Sequence, residues 1–191
     1  VHEGHVRRAV KGLLSEATIE LSDEKTEILK KLHPLGPTNL PACPEDAPRI
    51  VTVDKEIIRD IINKEMANGA APGKSGWTGD LVKALANDPA CLEGIATLTS
   101  LILNGEITGQ AKEDLLSSIL IGITKPKGGV RPIAIGEVFY KLAALYAIKT
   151  AKPTIRETLG ESQFALLPGE AEAAVHCLRT AMMEHPKWEI I

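Results

Sequence analysis

Two short β-branched runs separated by a Gly-Gly pair, and followed at once by a helical repeat, constrain this chain more than any other stretch. Ile119 to Thr124 is an apolar run and Arg131 to Ile135 is a second one with alternating character. Between them lies Lys125-Pro126-Lys127-Gly128-Gly129-Val130, whose two glycines supply the positive φ angles that a tight turn requires. After Gly136 the period changes: Val138, Phe139, Leu142, Leu145 and Tyr146 share one side of a 3.6-residue helix, with Lys141 and Lys149 on the watered side. The spacing predicts two antiparallel strands with a basic tip, then a helix.

The rest of the chain reads as short helices joined by glycine and proline. Val6 to Ser15 has helical spacing with Arg7, Arg8 and Lys11 on its polar side, either a solvated amphipathic helix or an RNA-contacting arm. Ser22 caps a helix carrying Ile28, Leu29 and Leu32 that Pro34 ends, and His33 to Arg49 is an extended, proline-rich connector. Asp54 caps a helix whose apolar face is Ile57, Ile58, Ile61, Ile62 and Met66. Asp80 to Ala86, with Leu81, Val82 and Leu85 inward, is a short helix. Asp88 and Pro89 open another that stops at Asn104-Gly105, and Ala111 to Leu116 adds one more turn. Pro153 to Leu159 reads as a separate short helix. The last helix presents Ala171, Ala174, Val175, Leu178 and Met182 inward, with His176 a packed histidine.

Composition limits what these elements can do. A chain of 191 residues that is 44% hydrophobic can fold around a core and is not compositionally disordered, but a net charge of -3 is unlike an autonomous nucleic-acid binder. Any phosphate contact must therefore be local. Cys43, Cys91 and Cys177 are odd in number and far apart, which argues against a disulfide framework or a paired zinc site and for a reducing compartment. No apolar run approaches the roughly 18 to 20 residues that a membrane span needs, so a soluble protein is expected. Gly73-Lys74-Ser75 repeats the end of a phosphate-binding P-loop, but Gly69 stands one residue too close and a helix precedes it, so the loop is not an NTPase signature. Trp77 is expected to be a packed anchor.

The order of these blocks carries a resemblance. Ala71-Pro72-Gly73-Lys74-Ser75-Gly76-Trp77-Thr78-Gly79-Asp80-Leu81, then Lys125 through Leu142, then Gln163-Phe164 with Gly169 to His176, resemble three successive blocks of non-LTR retrotransposon reverse transcriptases. The sequence departs from that pattern at Lys74-Ser75, where the family usually shows Pro-Ser or Pro-Asp, and at Ala165-Leu166-Leu167, where it is usually glycine-rich. The resemblance implies an α+β, predominantly helical fold. Its core would be a fingers-like region with one antiparallel hairpin packed on helices, preceded by an extended proline-rich arm. Residues 1–49 form the N-terminal helical segment and connector, and residues 50–191 the fingers and partial palm. It also implies that Lys125 and Arg131 meet a nucleotide triphosphate and Lys127 the template, by charge-assisted hydrogen bonds to phosphate oxygens. A lysine-tipped hairpin that is merely protected against edge pairing is the alternative.

Polymerases of this kind use carboxylates that hold two divalent metals about 3.5 to 4 Å apart. In the resembling family those acids follow the last helix read here, and this sequence stops at Lys187-Trp188-Glu189-Ile190-Ile191. The expectation is therefore a segment truncated before the palm aspartates. It would be no enzyme on its own and would need no cofactor, with magnesium required only by a palm. RNA or an RNA-DNA duplex and other protein subunits are its expected partners. Two alternatives stand beside it: a domesticated structural subunit of a large assembly such as a mitochondrial ribosome, and a stand-alone RNA-binding module.

Overall fold

A computed structural model of the chain describes residues 22–34, 36, 49, 52–125, 128–160 and 169–188. Among them are seven helices and one two-stranded antiparallel sheet. The chain divides into two units, residues 1–143 and 144–191. The expected helix at Val6 to Ser15, most of the proline-rich connector, Lys127, Gln163-Phe164 and Ala165-Leu166-Leu167 lie outside the described residues.

In the first unit, α1 (Asp23–Leu32) starts where the Ser22 hydroxyl accepts the Lys25 amide, and it buries Leu29. Helix α2 (Lys55–Lys64) starts at Asp54, whose carboxylate accepts the amides of Glu56 and Ile57 at 2.8 and 3.3 Å. Ile58, Ile61 and Ile62 recur at the helical period and are fully buried, so α2 is the centre of the core. Helices α3 (Gly79–Leu85) and α4 (Pro89–Leu103) pack on it, contributing Val82, Leu92, Ile95 and Ala96. Thr99 is buried in the same layer, where its hydroxyl donates to the Ile95 carbonyl at 2.8 Å. Each isoleucine so buried stabilises the fold by about 2 kcal/mol.

Helix α5 (Gly109–Leu116) leads into β1 (Ser118–Thr124) and β2 (Val130–Gly136). The pairing runs from Ser118 opposite Gly136 to Thr124 opposite Val130. At the turn the Lys125 amide donates to the Gly129 carbonyl and the Gly128 amide to the Lys125 carbonyl, both at 3.0 Å, with φ of 86° and 93° at Gly128 and Gly129. That bonded pair sets the alternation of the ladder: Ile123 opposite Arg131 is hydrogen-bonded and Gly122 opposite Pro132 is not. Pro132 thus occupies a position whose missing donor points away from β1. Helix α1 lies against β2.

Three expectations need correction. Leu81 is exposed while Val82 and Ala86 are buried, because capping by Thr78 starts α3 at Gly79 and turns the helix so that Val82 meets α2. Pro153 does not begin a new helix; α6 runs unbroken from Val138 to Leu159. Proline costs one intrahelical bond, the one its absent N–H would give to the Lys149 carbonyl, but its fixed φ is compatible with a helix and the helix continues through it. In α7 (Glu170–Glu184) of the second unit, Val175, Leu178 and Met182 are 50%, 47% and 45% exposed, and His176 is exposed too. A helical period marks a face that can be buried and says nothing of the surface that would bury it. At the end of α7, Trp188 stacks on His185 with ring centroids 4.0 Å apart.

Candidate nucleic-acid interface

Side chains alternate across a strand, so the register assigns each residue of the hairpin to a face. Ile119, Ile121 and Ile123 of β1 share one face with Ile135, Ile133 and Arg131 of β2, and Lys125 continues that face beyond Ile123. Arg131 lies opposite Ile123, which makes Lys125 its diagonal neighbour, about 7–8 Å away at the backbone. Both cations are exposed, and neither makes an ion pair among the described residues. The hairpin therefore carries two cations at one end of an isoleucine stripe. The third residue of the expected contact, Lys127, is outside the described residues.

The base of the hairpin is built against the Gly73–Trp77 loop. Glu137, between the end of β2 and the start of α6, is only 5% exposed. Its backbone carbonyl accepts the Lys141 amide to open α6, while its carboxylate turns to the loop. Oε1 accepts the Ser75 amide at 2.8 Å and Oε2 accepts the Ser75 hydroxyl at 2.5 Å. The same hydroxyl accepts the Trp77 amide at 3.3 Å, which fixes its direction. Gly73 makes the approach feasible: a Cβ there would stand 2.7 Å from Glu137 Oε1 and 2.9 Å from the Gly136 carbonyl oxygen.

Next to this contact Lys74 pairs with Asp114 of α5, Nζ to Oδ1 at 2.6 Å. The Asp114 carboxylate holds the Lys74 ammonium above the usual lysine range, with a smaller push from Glu137. In return Lys74, then Gln110, hold the Asp114 carboxyl below the usual carboxylate range. Lys74 is thus engaged within the protein, and α3 begins only at Gly79, as the rejection of a P-loop requires. Trp77 meets Phe139 of α6 edge to face, centroids 5.5 Å apart and planes at 61°, yet remains 36% exposed. It is an anchor on one side only. The loop, α5 and the α6 start line an open cleft of about 390 Å³ whose walls include Lys74, Asp114, Trp77 and Phe139.

The described aspartates are all placed. Asp54 and Asp88 cap helices, Asp23 opens α1, Asp60 pairs with Lys64, Asp80 accepts the Gly69 amide at 2.7 Å, and Asp114 holds Lys74. Among the described residues no group of three or more His, Cys, Asp or Glu side chains is placed to hold a metal ion. Cys91 and Cys177 are free thiols. No described helix is long and apolar enough to cross a membrane.

Sequence reasoning found the hairpin cations but missed the Glu137 contact with Ser75, which joins positions 62 residues apart. One signal was available. Glu137 stands alone between Gly136 and the apolar Val138-Phe139 pair, at a helix start where Ser, Thr, Asp or Asn is the usual residue.

No protein-family model matches the chain. Over 103 residues it is 32% identical to one component of the chloroplastic/mitochondrial glutamyl-tRNA(Gln) amidotransferase of Micromonas pusilla strain CCMP1545, a match that covers 49% of this chain and 18% of that protein. Over 139 residues, 73% of this chain, it is 33% identical to the Retrotransposable element SLACS 132 kDa protein of Trypanosoma brucei gambiense. The chain spans only 12% of that protein's length, and the similarity supports a retrotransposon-related origin.

Proposed function

We propose that this chain is a fingers-like part of a reverse-transcriptase-like protein, and that its hairpin grips phosphate groups, either of a nucleic-acid backbone or of an incoming nucleotide. The observation that carries the reading is the β1–β2 register, which sets Lys125 and Arg131 as diagonal neighbours on one face, neither committed to a carboxylate of the described residues. Two uncommitted cations at that spacing suit adjacent phosphate oxygens, and arginine adds a planar fork to the point charge of lysine. Lys127, between them in sequence, would add a third charge.

On this reading the chain performs no polymerisation alone. The described aspartates serve caps and pairs, and the metal-holding acids belong to a palm. Magnesium would be that palm's requirement. The test is a salt titration of a fluorescent RNA-DNA duplex, and separately of a deoxynucleoside triphosphate, against the protein and its Lys125→Ala/Arg131→Ala variant. Loss of two phosphate contacts should flatten the plot of log K against log salt by about 1.5 to 2. Binding with the same slope in both proteins would refute the reading.

A structural subunit of a larger ribonucleoprotein assembly is the second reading. It is favoured by the net charge of -3 and by the exposed Val175, Leu178 and Met182 of α7. Stoichiometric co-purification with a large particle supports it, and a monomer recovered free from cells sinks it.

A further inference from the structure

Among the described residues Glu137 is the one buried acid, and the phosphate grip does not use it. A carboxylate withdrawn from water is costly unless hydrogen-bonded, and here a single residue, Ser75, supplies a donor to each oxygen. The bonds join two segments far apart in sequence: the loop before α3 and the junction between β2 and α6. Gly73 lacks the Cβ that would hold them apart, and the edge contact of Trp77 on Phe139 closes the same joint from the loop's other side.

The geometry points to a latch: Glu137 and Ser75 fix the angle of the hairpin relative to the glycine loop, which makes both positioning residues for the phosphate contact of Lys125 and Arg131. This rests on the phosphate-grip reading for its functional consequence, though not for the latch itself. Leverage gives the reason. Gly136 pairs with Ser118 at the base of the hairpin, and Lys125 lies seven residues beyond Ser118. At about 3.3 Å per residue the tip stands roughly 23 Å from the joint. A hinge of about 10° there carries the tip about 4 Å, whereas a charged contact tolerates misplacement of about 0.5 Å. Helix α1 contacts β2, and the latch holds the base of the ribbon.

The experiment compares Ser75→Ala, Ser75→Thr, Glu137→Gln and the Ser75→Ala/Glu137→Gln double variant in the full chain. Two readouts are taken: amide hydrogen exchange across β1 and β2, and affinity for the RNA-DNA duplex and for the deoxynucleoside triphosphate. Ser75→Ala should speed exchange at the hairpin base and weaken phosphate binding about tenfold, the worth of one charge-assisted hydrogen bond. Ser75→Thr keeps the hydroxyl and should restore both, and the double variant should be no worse than the poorer single one. The two ligands distinguish a nucleic-acid backbone from a free nucleotide as the source of the phosphate. Unchanged hairpin exchange in Ser75→Ala and Glu137→Gln overturns the latch. Faster exchange with full affinity overturns the positioning role for Lys125 and Arg131, and a Thr variant as impaired as Ala overturns the part given to the hydroxyl. If the wild-type chain binds neither ligand, the phosphate grip falls, and the exchange data alone still decide whether the latch exists.

Discussion

Replacing Gly73 by alanine tests the joint by geometry alone, since it adds one methyl group and changes no charge. The added Cβ would meet Glu137 Oε1 at 2.7 Å and the Gly136 carbonyl oxygen at 2.9 Å, and the second of these is backbone that cannot swing aside. Forcing a methyl into such a space costs about 1 to 3 kcal/mol. Pushing the loop back also stretches the Ser75 bonds to Glu137, and losing one of them adds about 1.5 kcal/mol. The narrower unfolded ensemble of alanine returns about 0.5 kcal/mol, so the net loss is about 3 kcal/mol. Gly94 is the control. It sits inside α4 with nothing within 4 Å of a Cβ, so alanine there should stabilise by about 0.5 to 1 kcal/mol. Urea unfolding followed by tryptophan fluorescence measures both, with Trp77 beside the perturbed loop. Gly73→Ala at wild-type stability or better would refute the claim that the missing side chain is what allows the two segments to close.

Four further outcomes follow from the same structure. Ile61→Ala, at the buried centre of α2, should cost about 2 to 5 kcal/mol in the same denaturation assay, while Ile119→Ala on the open hairpin face should cost less than about 1 kcal/mol. Asp54→Ala removes the acceptor of two α2 amides and should cost about 1 kcal/mol by thermal unfolding, with Asp54→Ser largely tolerated. The carboxyls of Asp114, paired with Lys74, and Asp88, bonded chiefly to the Cys91 amide, sit below the ordinary carboxylate value when folded. Their contributions are therefore present above that ordinary value and lost as pH falls through the lower, folded one; Asp114→Asn and Asp88→Asn should flatten this acid limb of a stability-pH profile. Raising salt should weaken the exposed pair of Lys74 with Asp114 and leave the Glu137 contact nearly intact, which hydrogen exchange at Ser75 reports.

Local chemistry was legible because it is local. Asp54, Asp88 with Pro89, and the Gly128-Gly129 pair each settle their own element within four residues, and the structure keeps all three. The isoleucine period of α2 announced the core for the same reason: one face of one helix carries the whole signal. Lys125 and Arg131 were legible as cations at a turn, but that they share a face depends on register, which a one-residue slip would reverse. What stayed hidden depends on meetings between distant segments. Nothing near Lys74 in the sequence points to Asp114, which lies 40 residues on and pairs with it. Val175, Leu178 and Met182 read as core because periodicity reports a face and not its cover.

Pro132 has a consequence beyond the hairpin that accommodates it. A two-stranded ribbon offers two outer margins to any third strand, and on β2 the outward donors fall at Val130, Ala134 and Gly136, with the pyrrolidine ring standing where the fourth would be. The margin of β1 has a complete set, at Ser118, Leu120, Gly122 and Thr124. The ribbon is thus receptive along one side and blunted on the other, and a neighbouring chain that extended this sheet would have to arrive beside β1.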